Sequence, residues 1–144
     1  MKSLAVTGPE LQRLLEEVAF TRNYGFQLRE IQDGACSLDV PFQQAFERPG
    51  GIVSGQVFMA AADVAMWLAI KTRLGMADAS VTVEMKTNFL HGARQVGFRC
   101  DAKVLKLGSR LIYGVAECLS GESQLLTHHT ITYIRPERGK GESS

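Results

Sequence analysis

The spacing of apolar residues divides the first part of the chain into one helical and two extended segments. Apolar side chains recur at helical intervals in residues 9–22, and Pro9 suits a first helical turn, so a short amphipathic helix is predicted there. Residues 24–31 and 35–42 are predicted to be strands, because they lie on either side of Asp33-Gly34, a dipeptide typical of hairpin turns.

The longest apolar segment follows a predicted loop at residues 43–51. Ser54 is a suitable N-cap for a long helix that ends near Gly75, and Asp63 is the one charged residue between Ser54 and Ile70. The apolar stretch is slightly shorter than the ~20 residues of a membrane span, and it carries a carboxylate near its centre. We therefore predict a buried helix, which other elements must enclose because it is apolar on all sides.

The rest of the chain shows the two-residue period of β-strands. In residues 79–90 the pattern assigns apolar residues to one face and polar residues, including Thr82, to the other. The predicted apolar face consists of Val81, Val83, Met85 and Phe89. Three further strands with short turns between them are predicted within residues 95–108, 110–120 and 123–134.

This order of elements predicts an α+β fold in which a curved antiparallel sheet wraps one long central helix. The 144 residues are expected to form a single domain over residues 1–144, with flexible tails at about residues 1–8 and 136–144.

Composition narrows the class of partner and the compartment. The 16 Lys and Arg residues nearly balance 15 Asp and Glu residues, so neither nucleic acid nor an anionic membrane surface is expected as a partner. The first residues lack the apolar core of a signal peptide, and the three cysteines form no CxxC pair. A cytoplasmic protein with reduced, mostly buried thiols is therefore predicted.

Residues 48–90 resemble the phenylacetate-degradation (PaaI-like) acyl-CoA thioesterases of the hotdog superfamily. The resemblance rests on "GGIVSGQVFMAAADVA", which is similar to the family's Gly turn, helix start and acidic residue two turns later, and on the strand "VTVEMKTNFL". With the strand order and the "LKLGSRL" turn, it extends over roughly residues 24–133. Ser54 stands where the family usually has a helix-start His, Gln56 replaces the second Gly, and Arg48 stands where many members have Asn.

The resemblance implies an acyl-CoA thioesterase whose catalytic residues are Asp63, Gly55, Thr82, Arg48 and Ser54. A helix N-terminus offers free N–H groups, so that of Gly55, with or without Gln56, is the expected oxyanion donor. Asp63 is expected to act as base or nucleophile, and Thr82 to hold the attacking water. The alternatives are that Gly55 only permits tight packing and that Asp63 is a structural carboxylate.

Arg48, at the family's Asn position, is expected to contact the thioester or to pair with Asp63 of a partner subunit. Gly55 and Asp63 lie eight positions apart, which is ~12 Å along a helix axis. One small carbonyl cannot reach both groups on the same helix, whereas two antiparallel copies of the helix would bring them together. We therefore expect a site shared between subunits, in a homodimer at least and in a homotetramer built as a dimer of dimers.

Coenzyme A carries phosphates, which arginine and lysine bind at the mouth of a site. Lys106 and Arg110 flank the "LKLGSRL" turn, and Arg94 follows the predicted strand at residues 79–90. No phosphate-cradling Gly-rich motif is present, so the nucleotide is expected to dock externally. His91, His128 and His129 lack metal-ligand spacing; no metal and no cofactor is expected, since coenzyme A belongs to the substrate.

Two points stay open from the sequence. A non-catalytic hotdog protein that binds acyl-CoA as a sensor or carrier is the alternative function, whereas a hydratase would need a neighbouring Asp–His pair that is not found. The acyl group is not defined: Phe58, Met59, Met66 and Trp67 either line an apolar or aromatic acyl pocket or belong to the core.

Overall fold

A computed structural model describes residues 3–121 and 123–137. It contains three α-helices, α1 (Gly8–Glu17), α2 (Ala19–Arg22) and α3 (Gly55–Leu74), and a short 3-10 helix at Gln44–Phe46. The strands are β1 (Gln27–Gln32), β2 (Ala35–Val40), β3 (Glu47–Arg48), β4 (Ile52–Val53), β5 (Val81–Phe89), β6 (Phe98–Leu107), β7 (Leu111–Leu119) and β8 (Leu125–Ile134).

Helix α3 is the central element, and its ends follow from the residues that flank it. The Ser54 hydroxyl accepts a hydrogen bond from the Gln56 N–H, and Gly75 ends the helix with a φ of 95° that favours glycine. Most of the helix is buried against the inner faces of β2, β6 and β7. The long buried helix predicted from Ser54 to Gly75 is confirmed.

The sheet is six-stranded and antiparallel, with the strand order β1-β2-β6-β7-β8-β5. It wraps α3, so the predicted α+β hotdog architecture is confirmed. Asp33-Gly34 forms the β1–β2 turn, in which Gly34 has a positive φ of 74°. Helix 9–22 is divided at Val18 into α1 and α2, and the predicted loop at residues 43–51 contains the 3-10 helix and one strand of the small β3–β4 pair.

The predicted apolar face of β5 is wrong, because a β-bulge at Val83 interrupts the alternation. Thr82 pairs with Tyr133, but the next pair along is Glu84 with Thr132. One extra residue on β5 changes which face each side chain occupies. Thr82 therefore shares the inner face with Met85 and Phe89, while Val81 and Val83 are 58% and 52% exposed.

The two edges of the sheet differ. The β1 edge lies beside α1, and the Leu28 N–H donates to Gln12 Oε1 at 2.7 Å. No described element covers the outer edge of β5, and the following Leu90 is also exposed. A long, apolar, unpaired edge strand is a template for pairing with another chain.

The N-terminal segment is not a tail over residues 5–8, contrary to the prediction of a flexible segment at residues 1–8. The Ala5 N–H donates to Thr72 O, Val6 is buried, and Thr7 and Glu10 form a capping box at α1. Most of the predicted C-terminal tail, residues 138–144, lies outside the described residues. The three cysteines are unpaired and buried. Among the described residues, no helix has the length and apolar character to cross a membrane.

Candidate active site

Asp63 lies in the middle of α3 and meets two hydroxyl groups from the sheet. Thr82 Oγ1 donates to Asp63 Oδ1 at 2.6 Å, and the Tyr133 hydroxyl lies 2.8 Å from the same oxygen and 2.9 Å from the Asp63 backbone oxygen. Among the described residues, no hydrogen bond uses Asp63 Oδ2. One carboxylate oxygen is therefore fixed while the other is free to act on a bound molecule.

Asp63 opens into a cleft of about 330 Å³, which is at the small end of the range for small-molecule sites. Its lining is mostly apolar and comes from the α1–α2 junction, α3 and β5: Val18, Phe20, Val64, Trp67 and Val81. Asp63 is the only charged residue among the described lining residues. The cleft thus combines a carboxylate with an apolar wall that lacks a cation.

Gly55 begins α3, where the backbone N–H groups have no partner inside the helix. The Gln56 N–H donates to Ser54 Oγ and the Val57 N–H to Ser54 O, whereas no hydrogen bond of the described residues uses the Gly55 N–H. Of the two oxyanion donors considered from the sequence, Gly55 is thus the free one. A Cβ on Gly55 would lie only 2.8 Å from Phe89, so glycine is also needed for packing here.

A second cleft, of about 370 Å³, lies at this helix end. Gly55, Arg48, Phe58, Phe89 and His91 are among its lining residues. Asp63 and Thr82 line the first cleft and not this one. The structure therefore brings Asp63 together with Thr82, and Gly55 together with Arg48, in two separate clefts.

A wider groove of about 580 Å³ was not foreseen from the sequence. It is bounded by Phe20, Tyr24 and Phe46, and it reaches Arg48 and Ser54 at the start of α3. Phe20 also lines the Asp63 cleft. Ser54 thus faces this groove while its hydroxyl caps the helix, a contact that the N-cap pattern predicted.

The three basic residues expected to bind phosphate lie at opposite ends of the sheet. The Arg94 guanidinium donates to Gly50 O and holds the loop before α3, beyond the end of β5. Lys106 and Arg110 lie at the β6–β7 turn. This turn is at the same end of the sheet as Val81, where β5 begins, because Leu111 and Val81 both pair with Ile134. Arg110 is 3.3 Å from Glu137. One subunit alone does not bring these basic residues together.

The histidines occupy three different environments. His91 lines the Gly55 cleft, while His128 contacts Glu117 at 2.9 Å on the outer face of the sheet. His129 is fully buried, with its ring nitrogens 2.8 Å from Thr87 Oγ1 and 2.7 Å from Thr127 Oγ1. His128 and His129 point to opposite faces, as their adjacent positions on one strand predicted.

Tyr133 is the site residue that the sequence reasoning missed. It lies on β8 directly opposite Thr82, and it is 3% exposed. Burial, and next the negative charge of Asp63, raise the pKa of Tyr133 above its ordinary value, so its hydroxyl stays protonated. The inward side of β8 could be read from alternation, but contact with Asp63, 70 positions away, could not.

Comparison with known proteins agrees with this architecture. The sequence model of the Thioesterase superfamily matches residues 50–127. A proposed esterase of Saccharolobus solfataricus is 28% identical over 125 residues, which cover 87% of this chain and 83% of that protein. The solved structure of a proposed thioesterase from Silicibacter sp. TM1040 is 28% identical, with a TM-score of 0.84 over 94% of this chain and 95% of that one.

A third protein shares the fold at lower identity. It is a hypothetical thioesterase of Streptococcus pneumoniae TIGR4, described in its solved structure with coenzyme A, and it is 12% identical with a TM-score of 0.72 over 79% of this chain and 88% of that one. The superfamily match covers more than half of the chain, and it includes the helix that carries Gly55 and Asp63 and the strand that carries Thr82. The chain therefore belongs to the Thioesterase superfamily.

Proposed function

We propose that this protein hydrolyses the thioester of an acyl-CoA or aryl-acyl-CoA and is a PaaI-like member of its superfamily. Membership of the Thioesterase superfamily supports thioester hydrolysis as the activity. The observation that carries the finer proposal is the Asp63 carboxylate, which is held by Thr82 at the mouth of an apolar cleft. A carboxylate held in this way can activate water or attack a carbonyl.

In the water route, Asp63 Oδ2 removes a proton from water as the water oxygen attacks the thioester carbon. The carbonyl oxygen gains the negative charge and accepts a hydrogen bond from the Gly55 N–H of a partner subunit. The C–S bond then breaks, and the departing thiolate takes from Asp63 the proton that came from water, giving the free acid and coenzyme A. In the nucleophile route, Asp63 itself attacks and releases the thiolate, and water then hydrolyses the resulting anhydride.

The unpaired edge of β5 supports the shared site. If two β5 strands pair antiparallel about a twofold axis near Met85, Thr82 of one subunit comes beside the Phe89 end of the other. Thr82 contacts Asp63, whereas Phe89 lies against Gly55. This pairing would therefore bring the Asp63 cleft of one subunit beside the Gly55 cleft of the other. Arg48, which lines the Gly55 cleft, would then face the thioester.

A homodimer of this kind would also gather the basic residues. Arg94 lies at the Phe89 end of β5, and Lys106 and Arg110 lie near its Val81 end, so antiparallel pairing brings them to one edge from two subunits. The coenzyme A described with the Streptococcus pneumoniae protein supports this ligand class. A dimer of dimers belongs to the same proposal, and Leu111, which is 52% exposed, offers an apolar contact for it.

The cleft beside Asp63 is the proposed site of the acyl group. Its apolar lining favours a compact uncharged acyl or aryl group, because the described lining offers no cation for a second carboxylate. Trp67, the single tryptophan of the chain, lies in the lining and reports on occupancy. Met66 belongs to the core, and the buried Phe58 lines the Gly55 cleft. Met59 lines none of the clefts described above.

The test is thiol release from a matched panel of butyryl-, phenylacetyl-, palmitoyl- and succinyl-CoA, with wild type and Asp63→Asn. We expect hydrolysis of the uncharged short or aryl substrates, little of succinyl-CoA, and a loss of about 10²–10⁴-fold in Asp63→Asn. Quenching of Trp67 fluorescence in Asp63→Asn by phenylacetyl-CoA, but not by coenzyme A, would place the acyl group beside it.

The same panel separates the alternative function. Fluorescence quenching by acyl-CoA without thiol release in wild type would identify a binding protein, a sensor or carrier, and would overturn the thioesterase proposal. Undiminished hydrolysis in Asp63→Asn would overturn the assignment of Asp63 alone.

Three unpaired, buried cysteines suit a reducing compartment, which supports the proposed cytoplasmic location.

A further inference from the structure

Tyr133 and Thr82 form a pair of hydroxyl groups aimed at one carboxylate oxygen. They lie directly opposite each other on neighbouring strands, and both side chains point towards α3. The bulge at Val83 makes this possible, because the strict alternation of the following residues would put Thr82 on the outer face. The sheet thus presents two donors to Asp63 from rigid, adjacent backbone positions.

The pair limits how the carboxylate can turn. Thr82 Oγ1 and the Tyr133 hydroxyl both lie within hydrogen-bond distance of Asp63 Oδ1, at 2.6 Å and 2.8 Å. The Tyr133 hydroxyl has a single proton and lies between Asp63 Oδ1 and the Asp63 backbone oxygen, so it also limits rotation of the carboxylate about its side-chain bonds. Because Tyr133 is buried and neutral, it keeps this proton over the working pH range of an enzyme.

We propose that Tyr133 is a positioning residue, which holds Asp63 Oδ1 in place and so directs Asp63 Oδ2 towards the substrate. This role rests on the proposed thioesterase function for its effect on rate, but not for its effect on the carboxylate. In this role Tyr133 acts through Asp63, because its hydroxyl lies against Asp63 Oδ1 and the Asp63 backbone oxygen. The site therefore includes a hydroxyl group from β8, outside the segment that carries Gly55 and Asp63.

The charged surroundings allow the effect of Tyr133 to be isolated. Tyr133 on β8 is the titratable neighbour of Asp63 among the described lining residues of the cleft. The neighbours from β5 and from the α1–α2 junction do not titrate: Thr82, Val81 and Phe20. Beyond the cleft, Asp78 acts electrostatically on Tyr133 from the loop after α3, and Lys71 lies two turns along α3, over the Trp67 ring. Tyr133→Phe leaves Asp78 and Lys71 unchanged.

The first experiment is steady-state hydrolysis by wild type and Tyr133→Phe. We expect kcat to fall about tenfold with KM within about twofold, since one hydrogen bond to the carboxylate is lost. An unchanged kcat would overturn the proposal. A rise in KM with unchanged kcat would also overturn it, because that pattern indicates a substrate contact.

The matched control is Tyr113→Phe, which removes the same hydroxyl from a half-exposed tyrosine on the outer face of β7. It should keep the wild-type kcat, and a fall in this variant would show that the measured effect is not specific to Asp63. In the Asp63→Asn background, Tyr133→Phe should lower kcat no further, because its effect passes through that carboxylate.

The second experiment needs no catalysis. Crystal structures of Tyr133→Phe and Tyr113→Phe give the orientation of the Asp63 carboxylate in each variant. We expect the carboxylate to be rotated or to take two conformers in Tyr133→Phe, and to keep the wild-type orientation in Tyr113→Phe. An unchanged carboxylate in Tyr133→Phe overturns the proposal even if the enzyme is active. A rotated carboxylate in a protein without thioesterase activity upholds it while overturning the proposed function.

Discussion

Gly55 has two roles at the residue scale, and a double substitution separates them. A Cβ at Gly55 would lie 2.8 Å from the Phe89 ring, so Gly55→Ala disturbs packing as well as the approach of a carbonyl to the Gly55 N–H. We expect Gly55→Ala to lower kcat/KM about 10²-fold, comparable to the loss of an oxyanion donor. The measurement is steady-state hydrolysis together with thermal denaturation.

Phe89→Leu, which frees space beside Gly55, is the control for that substitution. We expect Phe89→Leu alone to stay within a fewfold of wild type, and Gly55→Ala/Phe89→Leu to recover thermal stability without recovering activity. Recovery of both would mean that Gly55 is needed for packing alone, which is the alternative that the sequence left open.

Two of the three central site residues could be predicted from the sequence, and the third, Tyr133, could not. Asp63 and Gly55 could be identified because a lone charge and a helix start are visible in a continuous apolar segment. Tyr133 could not, because its partner is 70 residues away and the bulge at Val83 decides which strand residues face Asp63. A bulge is a backbone insertion without a sequence signature in this strand, so the alternation of valines predicted the wrong face.

At the scale of elements, the C-terminal end of α3 depends on a buried lysine. Lys71 is 3% exposed, and its Nζ donates to Met76 O at 2.9 Å and to Asp78 O at 3.1 Å. These bonds fix the segment that leads from α3 into β5. Burial lowers the pKa of Lys71, so the charge is kept at some expense in solvation.

Lys71→Met should lower the free energy of unfolding by about 1–3 kcal/mol, because two carbonyl groups lose their donor. Urea denaturation measures the change. Arg73→Met is the matched control at the same helix end, because Arg73 makes a partly exposed ion pair with Asp33. A pair of that kind contributes about 0–1 kcal/mol, so an equal or larger effect of Arg73→Met would contradict the importance assigned to Lys71.

The edge of β5 is the second element whose role can be tested. Val83 lies at the bulge with 52% of its surface exposed, and a charge on an edge strand opposes pairing with another copy. Val83→Lys should shift the sedimentation coefficient towards that of a monomer and lower activity with it. Leu105→Lys, on β6 and away from this edge, should leave the dimer intact; a dimeric Val83→Lys protein would contradict the proposed interface.

At the scale of the whole molecule, the fold was predictable and the assembly only in part. The period of 3.6 residues in α3 and the period of two in the strands identified the enclosed helix and the wrapping sheet. The order of the strands and the uncovered β5 edge needed coordinates, because neither local pattern records which strand lies outermost. The separation of Gly55 and Asp63 into two clefts then strengthens the expectation of a shared site.

Subunit exchange tests that shared site directly. Gly55→Val and Asp63→Asn should each be inactive, but in a mixed dimer one site takes Gly55 from one subunit and Asp63 from the other, while the second site carries both substitutions. Random exchange of equal amounts makes half of the dimers mixed, so recovery should approach about a quarter of the wild-type activity. Sites contained within one subunit would give no recovery at any mixing ratio. Mass spectrometry of isotope-labelled subunits verifies that exchange has occurred, so absent activity in mixed dimers would refute the pairing of Gly55 with the partner's carboxylate.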